Sequence, residues 1–269
     1  MKKGVIIVLS LLVVGLGGYI VYDKCLNKTE NTKTEVKKDN VVSLYVDDPI
    51  VQELSRRFEL GTSTFKVGED FGYFFKNDET LVSDIPNSYK ALIAIMSMYD
   101  DENYVKSTDN NLTYGEIVKA SDVENRVQEI FGNVSFKNET TPAYGCDGFS
   151  KFTYNETDGS YSSIGECGGG PYEISETNSI VKAEIVNDNI LNIYVKPLFV
   201  KNTYTFNDGI QNFYPKNIYS DFNMTNLVAT FNNEYEENHK SYTNKLDTYK
   251  FSFEKDGSNY YFKSVEKVK

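Results

Sequence analysis

The chain has 269 residues and 30.6 kDa, with 28 Lys and Arg against 39 Asp and Glu, one His, three Cys, no Trp, 21 Tyr and 17 Phe. Its 40% apolar and 25% charged content is that of a globular chain, which excludes wholesale disorder and collagen-like structure. A net charge of -11 lacks the surplus of Lys and Arg that phosphate backbones require, so no nucleic-acid partner is expected.

Lys2 and Lys3 precede an uncharged run of 19 residues from Gly4 to Tyr22, with VIIVLSLLVV as its core. As a helix it would extend roughly 28 Å, close to the hydrocarbon thickness of a bilayer. The reading is a transmembrane anchor over 1–22. Its competitor is a cleavable secretory signal, for which Gly15, Gly17 and Gly18 are small enough but no A-x-A site follows. Cys25 follows Tyr22, Asp23 and Lys24 and so lacks a lipoprotein cleavage pattern. Lysines also lie beyond the span (24, 28, 33, 37 and 38), so loop charge alone does not orient it. The short basic N-terminus is costly to translocate, whereas a long downstream domain crosses largely regardless of charge. That favours a cytoplasmic N-terminus and an extracytoplasmic bulk. Residues 23–42 alternate charge without periodicity or aromatics and read as a disordered tether. The remainder, 43–269, carries no linker or repeat that divides it and reads as one α+β domain.

Within it, Asp48-Pro49 is a helix start, Ile50, Leu54 and Phe58 form a stripe at spacing four, and Gly61 closes the segment. A second helix is expected over about 84–99 on Tyr89, Leu92, Ile93 and Met96. A third opens at Ser121 with Glu124 three positions on, a capping box, and would bury Val123, Val127, Ile130 and Phe131. Strands follow. SIVKAEIV (179–186) and ILNIYVKPLFV (190–200) flank a tight NDN turn, and 248–268 alternates on both sides of Asp256-Gly257 as a hairpin. Three helices followed by a run of antiparallel strands give an α+β fold with helices on one face of a sheet. That order resembles the cone-shaped nuclear transport factor 2-like superfold, which hosts enzymes, binding modules and scaffolds alike.

The segments DPIVQEL (48–54), IFGN (130–133) and the later Cys…Tyr…Cys-Gly-Gly resemble uncharacterised membrane-anchored extracytoplasmic proteins of AT-rich Gram-positive bacteria. The resemblance spans much of 48–200 and implies location without an activity. An anchor followed by a cone-like α+β domain also resembles assembly subunits of secretion and conjugation machines.

Cys146 and Cys167 flank a second hairpin, FTY–NETDGS–YSSI, in which Tyr154 opposes Tyr161. The cysteines are then nearly opposite, and a bulge eased by Gly148 and Gly165 aligns them. A disulfide there would add roughly 3 kcal/mol in the chain-entropy model and needs an oxidising compartment. The other reading leaves two buried thiols. No C-x-x-C exists and His239, the only histidine, is remote in a charged run, so no metal site is expected. The glycine-rich GECGGGP (165–171) lacks phosphate-loop spacing and a following helix, so no cofactor is expected there. No nucleophile-elbow, zincin or Cys-His pattern occurs. The acidic clusters Asp47-Asp48, Asp100-Asp101-Glu102 and Glu234-Glu236-Glu237 lie in polar stretches and read as solvated surface. The aromatic stretches FGYFF (71–75) and NFYPKNIYSDF (212–222) read as core before they read as ligand platforms.

The expectation is a membrane-tethered extracytoplasmic module that binds an envelope protein or cell-wall component without catalysis. Two alternatives stand beside it: a pocket enzyme using a buried carboxylate as general base, and a secreted soluble protein after signal cleavage.

Overall fold

The computed structural model describes residues 40–61, 63–65, 71–99, 107–108, 115–143, 151–164, 174–203, 205–207, 210–212, 214–234 and 242–268. Together they form an α+β structure with three helices packed on a mostly antiparallel sheet. Among them no helix is long and apolar enough to cross a membrane. The apolar run 4–22 lies outside the described residues, as do Cys25, Cys146, Cys167 and His239.

Among the described residues the main sheet has nine strands. Its spine runs β1 (Val41–Leu44), β8 (Ile174–Val186), β9 (Ile190–Asn202), β14 (Thr248–Asp256), β15 (Asn259–Val268) and β3 (Glu79–Leu81). β2 (Ser63–Phe65) joins β8, while β12 (Lys216–Tyr219) joins β9 and carries β13 (Leu227–Phe231). A second sheet orders β4 (Ser107–Thr108), β5 (Gly115–Lys119), β7 (Ser160–Ile164) and β6 (Thr153–Asn155), and a two-stranded ribbon pairs β10 (Thr205–Asn207) with β11 (Ile210–Asn212). The helices are α1 (Pro49–Arg57), α2 (Asn87–Tyr99) and α3 (Ala120–Phe131).

The long hairpins form where the pattern dictates. In β9, Leu191, Ile193, Val195 and Phe199 enter the helix-facing core while Asn192 and Tyr194 turn the other way, the period-two alternation of a half-covered strand. The NDN turn places Asn187 and Asp188 at positive φ, which Asn and Asp tolerate best among residues with a side chain. Pro197 lies between the part of β9 that pairs with β14, ending at Val195, and the part that pairs with β12, beginning at Phe199. A residue without an N–H thus falls where β9 changes partner. Tyr154 opposes Tyr161 across β6 and β7, the register expected for the second hairpin.

Four expectations need correction. Helix α3 starts at Ala120, not Ser121, and Lys119 in extended geometry precedes it without a side-chain cap. The reason is tertiary: β5 runs straight into the helix, and the Ala120 N–H donates to the Gly159 carbonyl at 2.9 Å. Asp48 does not cap α1; its carboxylate turns back to accept the Tyr45 N–H at 2.9 Å. Strands also interleave with the helices instead of following them; β1 to β5 are pieces of two to five residues, too short to alternate visibly. β1 itself begins two residues inside the stretch read as tether.

The core is aromatic. Phe58, at the end of α1, packs its ring 4.9–6.1 Å from those of Phe74, Phe131, Phe251, Phe253 and Phe262. Each such ring removed from water stabilises the fold by about 1.5–3 kcal/mol. α2 is buried nearly all round, with Ala91, Leu92, Ile93, Ala94 and Ile95 sealed between its neighbours. After α3, Gly132 turns the chain at φ +73°, and the Tyr261 ring stands 3.3 Å from where a Cβ would be. A smaller cluster of Ile218, Phe231 and Tyr242, with Leu198, Val200 and Leu246 against it, lies beside the far end of β9.

Candidate functional site

The helix-facing side of the main sheet is filled with rings. The polar chemistry lies on the alternate positions of the same strands. Register sets Glu184 of β8 opposite Asn192 of β9 and Lys182 opposite Tyr194; on the other side of β9, Ser252 of β14 stands opposite Asn192 and Lys250 opposite Tyr194.

Glu184 is the hub. It is only 6% exposed, yet the Tyr194 hydroxyl donates to its Oε1 at 2.5 Å and the Lys182 ammonium meets its Oε2 at 2.6 Å. Lys182 also stands over the Tyr194 ring at 4.7 Å from the centroid, a cation–π contact. The Ser252 hydroxyl donates to Asn192 Oδ1 at 2.9 Å, and the Asn192 side chain bonds Glu184 in turn. Lys250 pairs with Glu266, and Lys196 donates to the Thr243 carbonyl at 2.9 Å. Burial alone would raise the Glu184 carboxyl, but hydrogen bonds from Lys182, Tyr194 and Asn192 and the Lys182 charge together hold it below the usual carboxylate value. Tyr194 moves up, first through burial and then because its proton is held by an ionised acid. Chemically the group is an ionised, fully engaged carboxylate beside a phenol that resists ionisation. Neither member is poised to accept a proton near neutral pH.

A second buried acid lies on the other side of the sheet. Glu176, 3% exposed, sits on β8 opposite Phe199, two residues before Asn178. Its Oε2 is 3.3 Å from where a Gly72 Cβ would be, a position the Phe222 ring approaches to 2.5 Å. Asn178 stitches the end of the α1 segment to β8: its Oδ1 accepts the Gly61 N–H at 2.6 Å, and its Nδ2 lies 3.4 Å from the Glu59 carbonyl. On the edge of β8 away from β9, this side chain takes the place of a strand among the described residues, because β1 covers residues 183–186, β2 covers 175–177, and α1 lies between them in the chain.

Of the acids singled out by sequence, Asp47 is exposed, Asp48 braces the turn before α1, and Glu234 is exposed; 100–102, Glu236 and Glu237 lie outside the described residues, as does 165–171. The aromatic FGYFF segment supplies Phe74 and Phe75 to the main core, and 212–222 supplies Ile218 to the smaller one. Among the described residues no group of His, Cys, Asp and Glu is arranged to hold a metal ion. The Glu184 cluster was missed, although it leaves a trace: in AEIV and ILNIY, polar Glu184, Asn192 and Tyr194 interrupt apolar strands at alternate positions, hence on one face.

No protein-family model, curated protein or solved structure matches the chain.

Proposed function

We propose that the protein is a membrane-tethered extracytoplasmic binding or scaffold module that works without catalysis. The observation that carries this reading is the state of Glu184, a buried acid whose carboxylate is ionised and bonded to Lys182, Tyr194 and Asn192. A general base needs the reverse, a carboxyl raised toward neutrality with a free edge facing substrate. The tethering part rests on sequence: the uncharged run 4–22 and the charged stretch after it lead directly into β1. Three helices on a sheet are in keeping with a nuclear transport factor 2-like cone, and the resemblance to anchored envelope proteins of Gram-positive bacteria supports the extracytoplasmic location. Around the buried Glu184, the half-exposed Lys182 and Glu266 offer a partner charges of both signs.

Labelling intact cells with a membrane-impermeant maleimide tests the location. Cys146 and Cys167 are expected to react only after denaturation and reduction, as a disulfide in an oxidising compartment would. The chain should also stay in the membrane fraction with its N-terminal sequence intact. Labelling without reductant once cells are lysed and denatured, combined with shielding in intact cells, would place the domain in the cytoplasm and end the proposal. A mature N-terminus beyond Tyr22 would instead mark a secreted protein.

A further inference from the structure

We draw no further inference here: the strongest candidate, the apolar edge of the main sheet where Val41, Val42, Tyr45 and Val46 lie exposed on or just after β1, carries none, because nothing in the structure shows what covers it.

Discussion

The two faces of the main sheet are built from the same strands and differ in what holds them. Toward the helices, β9, β14 and β15 contribute Leu191, Ile193, Phe251, Phe253 and Phe262 to a continuous aromatic and aliphatic core. Away from them, the alternate residues Asn192, Tyr194 and Ser252, with Glu184 and Lys182 of β8, form a connected polar group, and Lys250 pairs with Glu266 beside it. The first face gains most of its stability from area removed from water, a contribution that does not itself depend on pH. The second gains specificity from hydrogen bonds and charge, and its contribution depends on each partner staying in one ionisation state. The period of two along a strand is enough to separate the two kinds of energy by a single residue.

The contrast breaks first at the apolar face. Phe58→Ala removes the ring around which five others pack, and a loss of about 3–5 kcal/mol is expected from the shift in urea midpoint. A loss below about 1 kcal/mol would mean that the rings do not form one core. On the polar face, Glu184→Ala leaves Tyr194, Lys182 and Asn192 without their shared acceptor and should cost about 1–3 kcal/mol. Because folding lowers the Glu184 carboxyl, its contribution is full above the unfolded value of 4.5 and is lost as pH falls through the lowered value. Denaturation midpoints of Glu184→Gln measured from pH 6 downward should therefore fall less steeply than those of the parent.

The tyrosines sharpen the alkaline side. Burial, with the Asp247 charge behind it, pushes Tyr249 up to about 12, and burial raises Tyr161 and Tyr194 as well. A raised acid contributes stability that is complete below the unfolded phenol value and is lost as pH rises through the folded one. Stability should therefore drop above about pH 10, by up to about 1.4 kcal/mol per pH unit for each such phenol. Lys90 acts in the opposite sense, since burial lowers it and the unfolded chain holds its proton to higher pH. Tyr249→Phe should flatten the net decline in a pH series of melting curves; an unchanged slope would separate this residue from it. The smallest effect belongs to the surface. Lys263 and Glu254 meet at 2.6 Å with both side chains half exposed, and Lys263→Ala should change stability by no more than about 0.5 kcal/mol.

Much of the fold was legible because its elements are long and periodic. The hairpin Thr248–Val268 and the pair β8–β9 alternate over enough residues to fix both type and register, and Val123, Val127, Ile130 and Phe131 mark the buried face of α3 unaided. The short edge strands were not legible, because three or four residues carry no period that distinguishes a strand from a turn. The Glu184 group was hidden for a different reason. Its members come from three strands, and only the register brings Asn192 between Glu184 and Ser252.

By itself, the sequence determined the α+β class, the existence of the three helices and the long hairpins, since hydrophobic periodicity and turn chemistry are local properties. Tertiary structure alone decided where helices begin and which acids are buried. Ala120 starts α3 because a carbonyl at Gly159, distant in sequence, takes its N–H. Glu184 is buried and ionised while Asp47 remains exposed because the neighbours that solvate a charge in place of water arrive from other strands, and a linear pattern cannot announce them.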